Sequence, residues 1–562
     1  MGNPEIAEIL EQTARLMEVH GENTFKIRSY QSAAFNIERL QEKIEGKSIE
    51  ELAAIKGIGK SLSQKIYHLS QTGNFPELDE LIAETPDGII ELLQMKGIGP
   101  KKIAQLWKEL EITSPGELLY ACNENRLVEL KGFGPKSQET IRTAVLFKLS
   151  QKGLYHFATA EKSAIDFLNK VILEGVTTLT FTGELRRKCE ILHTIEFIAA
   201  KEEADKLKRL LAENKSLGYE LKSETGSEIM GISPAGIPIK IYLSDHNTFA
   251  WMLWKTTGND LHIQQCMALV NELPDLTLSK EESSIYASLK LPYIEPELRE
   301  GLQEVISAKE GRLPAPLIQL QDLKGILHNH STYSDGINSL EEMATACKEA
   351  GYEYLGICDH SKSAQYAGGL SIEKVIQQQN EITELNKKLY PFRIFSGIES
   401  DILTDGSLDY PDDILKTFDF IVASVHSGLK MDIEKANQRL LTAIRNPYTT
   451  ILGHPTGRLL LSRQGYPIDH EQILSACAEY GVVIELNAHP YRLDLDWRWI
   501  HRAMDLGVMI SINPDAHSIE GYNDLYYGIC CARKGGLTPQ YTFNHKNLTE
   551  ITEWFEKRKA PK

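Results

Sequence analysis

GILHNH (325–330), YLGICDH (354–360) and RIFSGIES (393–400) each run from a short apolar stretch into a polar cluster. FIVASVHS (420–427), TTILGHP (449–455), VVIELNAH (482–489) and MISINPDAH (509–517) repeat the pattern, giving seven such runs. The stretches between them have helical spacing, as over 339–350, where Leu340, Met343, Ala344 and Cys347 are the apolar positions. Strand and helix patterns in alternation predict parallel βα units, most economically a barrel. Reactive side chains in such barrels gather at the C-terminal ends of the strands. Here those ends carry His328, His330, Asp335, His360, Glu399, His426, His454, Asp515 and His517. In His328-x-His330 and Asp515-x-His517 the side chains are two apart on an extended chain and point the same way. Both members of each pair therefore reach one pocket. A lone strand-end histidine is usually hydrogen-bonded or on the surface, and His470, His501 and His545 are read that way. Nine residues of metal-binding type at successive strand ends instead predict one polynuclear metal site.

The constellation resembles the PHP (polymerase and histidinol phosphatase) domain, over 324–562. That resemblance implies a distorted (β/α)7 barrel holding three divalent ions. It places the first on His328, His330, Glu399 and Asp515, and the second on Glu399 as a bridge with His426 and His454. The third falls to Asp335, His360 and His517; His489 matches no ligand position. Glu399, Asp515 and His426 are the expected catalytic residues. Nitrogen-rich ligation with carboxylates suits Zn²⁺, with Mn²⁺ and Fe²⁺ as alternatives. Such ions clamp a phosphate and generate hydroxide at neutral pH, so the implied reaction is hydrolysis of a phosphate ester.

At 562 residues the chain predicts several domains. Eight cysteines without a CxxC pair fit a reducing cytosol. The start, MGNPEIAEIL, lacks a basic segment followed by an apolar one, and no apolar run approaches the roughly 20 residues that span a bilayer. A soluble, cytoplasmic protein without membrane contact is expected. Formal charge is −17, from 61 basic and 78 acidic residues. A broad basic face for nucleic acid is thereby excluded, and any DNA contact must be local or use backbone amides.

The amino-terminal region offers such a device three times: Lys56-Gly57-Ile58-Gly59-Lys60, Lys96-Gly97-Ile98-Gly99-Pro100 and Lys131-Gly132-Phe133-Gly134-Pro135. Two glycines let the backbone turn tightly and approach a ligand closely. Pro100 and Pro135 suit the first turn of a helix, whose exposed N–H groups form an anion site for a phosphate. The motif resembles the helix-hairpin-helix, which grips the DNA backbone without reading sequence. Gly57, Gly59, Lys60, Gly97, Gly99, Lys101, Gly132 and Gly134 are the expected DNA contacts. A lone GxG could be a simple interhelical turn; three copies with the same flanking lysine are more specific.

Helical hairpins at one end and a PHP-like barrel at the other resemble the bacterial family X DNA polymerases. Gly183-Glu184-Leu185-Arg186-Arg187 followed by Glu190 is similar to the family's palm segment, and Thr257-Gly258 to a later turn. The resemblance implies a multidomain α and α/β chain. A lyase-like helical domain (1–80) and a fingers-like helical domain (81–150) lead. A polymerase-beta-like palm (151–250), a thumb (251–312), a linker (313–323) and the barrel (324–562) follow. The family's polymerase centre uses three aspartates to hold two Mg²⁺ ions. Here those positions fall on Thr194, Glu196 and Lys240, and the serine after Gly183 is Glu184. One carboxylate beside a lysine cannot hold a metal pair, so no Mg²⁺ pair and no polymerisation are expected in the palm. Asp205 and Asp245 lie outside the matching strands. Lys65 falls where the family's lyase domain has its Schiff-base lysine, with Lys26 and Tyr30 at other pocket positions; a DNA-facing surface lysine is the competing reading.

The resulting expectation is a metal-dependent DNA phosphoesterase of base-excision repair, acting on gapped, nicked or abasic DNA. By resemblance its activities are 3′-5′ exonuclease, AP endonuclease or removal of blocking 3′ groups. A monomeric, nucleoid-associated bacterial protein is expected, with no protein partner indicated. Its rivals are an active gap-filling polymerase with unusual ligands, a non-catalytic DNA scaffold and a phosphatase of small molecules.

Overall fold

A computed structural model describes residues 2–38, 40, 42–95, 97–150, 153–213, 218–269, 277 and 279–559. Lys96 of the second hairpin, and the outermost residues of the expected palm and barrel ranges (151–152 and 560–562), lie outside the described residues. The chain divides into two compact units: residues 1–123 with 127–148, and residues 124–126 with 149–562.

The first unit is helical. Its Asn3–His20 and Thr24–Glu38 helices pack through Ile6, Leu10, Met17, Ala33 and Ile37, all fully buried. Helices Lys60–Thr72 and Pro100–Leu110 both start directly after a hairpin glycine, Gly59 and Gly99, at the N-cap. A third helix, Pro135–Ser150, starts after Gly134.

In the second unit, each of the seven apolar runs supplies one strand of a parallel sheet. They are Gly325–Ile326, Tyr354–Ile357, Arg393–Asp401, Phe420–Ser424, Ile451–Leu452, Val483–Asn487 and Ile510–Asn513, hydrogen-bonded in chain order. A parallel bridge between Asn329 and Ala516 brings the first strand's exit to the last strand's exit, so the barrel nearly closes. The strands are buried on both faces, as a parallel sheet covered by helices requires. Helix Leu340–Glu349 is typical of the outer layer. Ser339 caps it by accepting from the Glu342 N–H, and Leu340, Met343, Ala344 and Cys347 are buried against the strands.

The barrel interior is split into two levels. One end is an apolar plug of Phe395, Phe420, Phe543 and Phe555; the Phe420 and Phe555 rings stack at 5.4 Å. Gly356 and Gly397 make room for Phe420, because a Cβ on either would lie 2.5–2.6 Å from its ring carbons. The other end, at the strands' C-termini, is polar.

The same unit contains a five-stranded mixed sheet, whose central parallel pair is Ile195–Ala200 and Pro238–Ser244. Ion pairs, largely buried at Glu300 and partly exposed at Glu190, tie this region to the barrel. Glu300 is held by Arg187 at 2.9 Å and also by Lys534, and Glu190 accepts from Trp497 Nε1 at 3.0 Å and Arg498 at 2.9 Å. Among the described residues, no helix is long and apolar enough to cross a membrane.

Candidate metal centre

The polar end of the barrel gathers all nine strand-end residues. His328 and Asp515 both adopt left-handed backbone, with φ of 64° and 54°. Non-glycine residues hold that conformation only where their surroundings over-determine it, most often at functional sites. Here the His330 N–H donates to Ala516 O at 2.9 Å, which locks the two strand exits together. Both turns aim their side chains at the barrel axis.

Glu399 sits at the middle. Its Oε1 lies 3.1 Å from Nε2 of both His426 and His454 and 3.3 Å from His328 Nε2, and its Oε2 lies 2.9 Å from His360 Nδ1. Asp515 Oδ1 is 2.9 Å from His330 Nε2 and 3.4 Å from His328 Nε2. Asp335 Oδ1 is 3.3 Å from His517 Nε2 and 3.6 Å from His360 Nε2. Among the nine residues, three sets have donor atoms within 4.8 Å of one another: His328, His330 and Asp515; His360, Glu399 and His426; and His330, Asp335, His360 and His517. The sets overlap at His330 and His360, which the PHP resemblance assigned to one ion each. His454 joins the cluster through Glu399 alone.

Donor chemistry and spacing both fit divalent ions. Two ligands about 2.1 Å from one tetrahedral ion stand roughly 3.4 Å apart, close to the separations here. Moreover, His328 Nε2, His330 Nδ1, both ring nitrogens of His360, Asp335 Oδ2, Glu399 Oε2 and His517 Nε2 are buried without a hydrogen bond. A buried polar atom left unsatisfied costs about 1–3 kcal/mol, so this concentration in one cavity is accounted for if the atoms are cation donors.

Electrostatics point the same way. Burial pushes the Glu399 carboxyl up, but the imidazoles of His426, His328 and His360 outweigh it and hold the group well below the usual carboxylate range. Asp515 and Asp335 are depressed in the same manner, against their own burial, by His328 with His330 and by His517 with His360. Burial lowers His360 and His426, yet the surrounding carboxylates bring both up to about 10. The cavity is thus built to stabilise positive charge.

Sequence reasoning missed the carboxylates behind the histidines. His328 Nδ1 lies 2.6 Å from Glu485 Oε1, and His426 Nδ1 lies 2.5 Å from Asp401 Oδ1. Each leaves its Nε2 facing Glu399, the arrangement that fixes the tautomer of a metal-binding imidazole. Signals for both existed. Glu485 is a charge inside an apolar run, and Asp401 is two residues from Glu399 on one strand face. His470, by contrast, stacks on Trp499 at 4.5 Å, and His545 bonds to Asp322 O at 2.8 Å.

The helical unit repeats one backbone device. Gly57, Gly97 and Gly132 have φ of 88°, 100° and 90°, which a side chain would strain. Nothing lies within 4 Å of a Cβ built on Gly59, Gly97, Gly99, Gly132 or Gly134, so the surface over these turns is open to a ligand. Lys60 and Lys101 are exposed in the first turns of the following helices.

Comparison with known proteins gives the same architecture. Residues 1–75 match the helix-hairpin-helix domain family, 89–144 a SAM-like helix-hairpin-helix tandem, and 327–489 the PHP domain. The chain is 33% identical over 577 aligned residues to the DNA polymerase/3′-5′ exonuclease PolX of Bacillus subtilis (strain 168), covering 99% of this chain and all of that protein. The chain belongs to the bacterial PolX family. The carboxy-terminal part is also similar to a probable phosphatase of Thermoanaerobacter sp. (strain X514), 27% identical over 42% of this chain and 97% of that protein. A probable phosphatase of Caldicellulosiruptor bescii is 34% identical over 34% of this chain and 78% of that protein.

Against the PolX pattern, the palm positions are occupied differently. Glu196 and Lys240 are register partners on the central parallel pair. Glu196 is half-buried. Its Oε1 accepts from Tyr242 OH at 2.9 Å, and its Oε2 fills the space a Cβ on Gly183 would need, 1.7 Å away. Lys240 pairs with Glu228 at 2.9 Å. Thr194 precedes the Glu196 strand. Asp245 pairs with Lys201 at 2.8 Å just past the ends of these two strands, and Asp205 pairs with Lys208 at 3.1 Å.

Lys65, which the resemblance places at a lyase position, is part of a polar cluster in the helical unit. Lys65 Nζ is 2.9 Å from Tyr30 OH and 2.5 Å from Glu77 Oε2, while Lys26 Nζ is 3.0 Å from Glu77 Oε1. Glu77, which carried no signal in the sequence, is the hub that joins the three expected residues.

Proposed function

We propose that this PolX protein is a metal-dependent phosphoesterase that processes DNA ends and abasic sites during repair, through its barrel. One observation carries the reading: nine donors converge in one buried cavity of a chain that also bears three backbone-gripping hairpins. His328, His330, Glu399 and Asp515 would hold a first ion, Glu399, His426 and His454 a second, and Asp335, His360 and His517 a third, as Zn²⁺ or Mn²⁺. Bound there, the ions supply Lewis-acid polarisation of a phosphoryl oxygen and a hydroxide nucleophile at neutral pH. Glu399 acts as the shared carboxylate that fixes the spacing, Asp515 orients the His328–His330 pair, and His426 is steadied by Asp401. The hairpin turns at Gly57–Gly59, Gly97–Gly99 and Gly132–Gly134 hold flanking phosphates of gapped, nicked or abasic DNA, with Lys60 and Lys101 as local positive charges.

Several further points belong to this reading. The palm keeps its sheet but does not polymerise, because Glu196 is committed to Tyr242 and Lys240 occupies the third ligand position. The lyase-like (1–80), fingers-like (81–150), palm (151–250) and thumb (251–312) divisions are part of this proposal. Lys65 is the candidate for a residual lyase step. The protein works as a cytoplasmic monomer on nucleoid DNA. The named relatives that align with the barrel alone are probable phosphatases, which supports a phosphate ester as substrate; the hairpins favour DNA over a small molecule.

The deciding experiment incubates 3′-labelled gapped and abasic DNA with wild type and with the His328→Ala/His330→Ala variant. Wild type is expected to release label in a metal-dependent way, and the variant to lose that release. Equal cleavage by both would remove the barrel as the nuclease.

A further inference from the structure

His517 presents Nε2 to Asp335 at 3.3 Å, and its Nδ1 lies 2.5 Å from Glu124 Oε2. A carboxylate likewise lies behind His328 (Glu485) and His426 (Asp401), but those two accept a hydrogen bond, whereas His517 Nδ1 bonds to Asp515 O and meets Glu124 as an ion pair. Glu485 and Asp401 come from barrel strands. Glu124 does not: it belongs to the short segment 124–126, remote from the barrel in sequence but part of the same compact unit. It is 3% exposed, and its Oε1 lies 3.5 Å from His489 Nε2. Burying an ionised carboxylate is costly unless it is paired, and the ion pairs of Glu124 are to imidazoles at the edge of the metal cluster. The segment reaches a second ligand as well, since Arg126 Nε lies 3.8 Å from Asp335 Oδ2. Glu124 further shares donor distances within 4.8 Å with Asp515 and His517.

We propose that Glu124 is a positioning residue for the third metal site: its buried carboxylate ion-pairs with His517, whose Nδ1 bonds to Asp515 O, and so helps hold Nε2 toward Asp335 and His360. The barrel sequence alone is then an incomplete ligand set, and the segment at 124–126 completes it. Asp515 O also lies 2.9 Å from His517 Nδ1 and contributes to the same tautomer. What the carboxylate adds is charge, which makes the imidazole a stronger donor; losing such a partner typically costs about 10–100-fold in metal affinity. The inference rests on the metal-centre reading above.

The test uses the full chain loaded with Zn²⁺. Bound ions are counted per chain, and their affinities are measured by competition with a chromophoric chelator. Wild type, Glu124→Ala, Glu124→Gln and Asp335→Asn are compared, with circular dichroism and thermal unfolding as checks of fold. Glu124→Ala is expected to weaken one equivalent by roughly 10–100-fold and leave the others unchanged. Asp335→Asn should weaken the same equivalent. Glu124→Gln, close in shape but uncharged, should lie between wild type and Glu124→Ala, and it carries the comparison if the alanine variant does not fold. Wild-type affinity for every equivalent in both Glu124 variants would overturn the proposal while leaving the metal centre standing. A wild-type protein that binds no Zn²⁺ would overturn both.

Discussion

Tyr242 donates its hydroxyl to Glu196 Oε1 across 2.9 Å, from the neighbouring strand of the central parallel pair. Burial raises the Glu196 carboxyl above its usual range, while Tyr242 and the Glu184 N–H hold it partly down. A group in that position stabilises the sheet rather than recruiting hard cations, which require several charged oxygens. The burial and hydrogen bonding of Glu196 thus support the proposal of a palm that keeps its sheet without polymerising.

Alanine at Thr194, Glu196 or Lys240 is accordingly expected to leave DNA hydrolysis essentially unchanged. Primer extension on gapped DNA should be undetectable with either Mg²⁺ or Mn²⁺ in wild type. A large loss of hydrolysis in any of the three variants, or extension by wild type, would show that the palm takes part.

Glu399 lies within ion-pair distance of five histidines through its two oxygens, more than any other carboxylate of the cluster. An outer carboxylate behind a metal-binding histidine is worth about 10–100-fold, so a shared direct ligand should cost at least the upper figure. Glu399→Gln is expected to lower turnover on 3′-labelled DNA by about 100-fold or more, and to reduce bound metal. Chelation of wild type should also lower the thermal midpoint, with recovery when metal is returned, because ions that bind only the folded state stabilise it. Turnover within a few-fold of wild type for Glu399→Gln would rule out its bridging role.

The barrel was legible because its strands are continuous apolar runs that stop at donors, and period and chemistry coincide in each run. The pairs two apart, His328 with His330 and Asp515 with His517, do face one cluster, but through left-handed turns past the strand ends rather than the extended chain that was expected. What could not be read is what depends on closure. The left-handed turns at His328 and Asp515 arise only when Asn329 meets Ala516 across the seam. Sharing of His330 and His360 between donor sets likewise depends on distances that spacing along the chain does not encode. Glu124 and Glu77 were invisible for a simpler reason. Each is one acid on a helical or turn segment rich in acids, and only the folded chain singles it out.

The hairpins make a prediction about salt. Contacts made through backbone amides and single lysines to phosphates carry no base information, so weakening them should act uniformly across sequences. Lys60→Ala and Lys101→Ala are each expected to weaken binding to gapped duplexes of unrelated sequence equally. Each should reduce the slope of log affinity against log salt by about 1. Gly59→Val, which fills the open surface above the turn, should weaken binding without altering that slope as much. Sequence-dependent losses, measured by fluorescence anisotropy over a range of salt, would mean that the hairpins read bases.

The Lys65 pocket is testable by both chemistry and pH. Burial raises the Glu77 carboxyl, but hydrogen bonds from Lys65, Tyr30 and Lys26 outweigh it, so the group ends below its ordinary value. A carboxyl depressed in the folded state contributes stability that is present above its unfolded pKa, about 4.3, and is lost as pH falls through the lower folded value. Glu77→Gln should therefore lower the thermal midpoint of the helical unit at neutral pH and flatten its decline between about pH 5 and pH 3. The chemical arm traps a Schiff base with borohydride on DNA carrying an abasic sugar. Wild type is expected to form a covalent adduct that Lys65→Ala abolishes and Lys26→Ala retains. An adduct that survives in Lys65→Ala would assign the amine elsewhere. Absence of any adduct in wild type would leave the Lys65–Tyr30–Glu77 cluster as a structural ion pair.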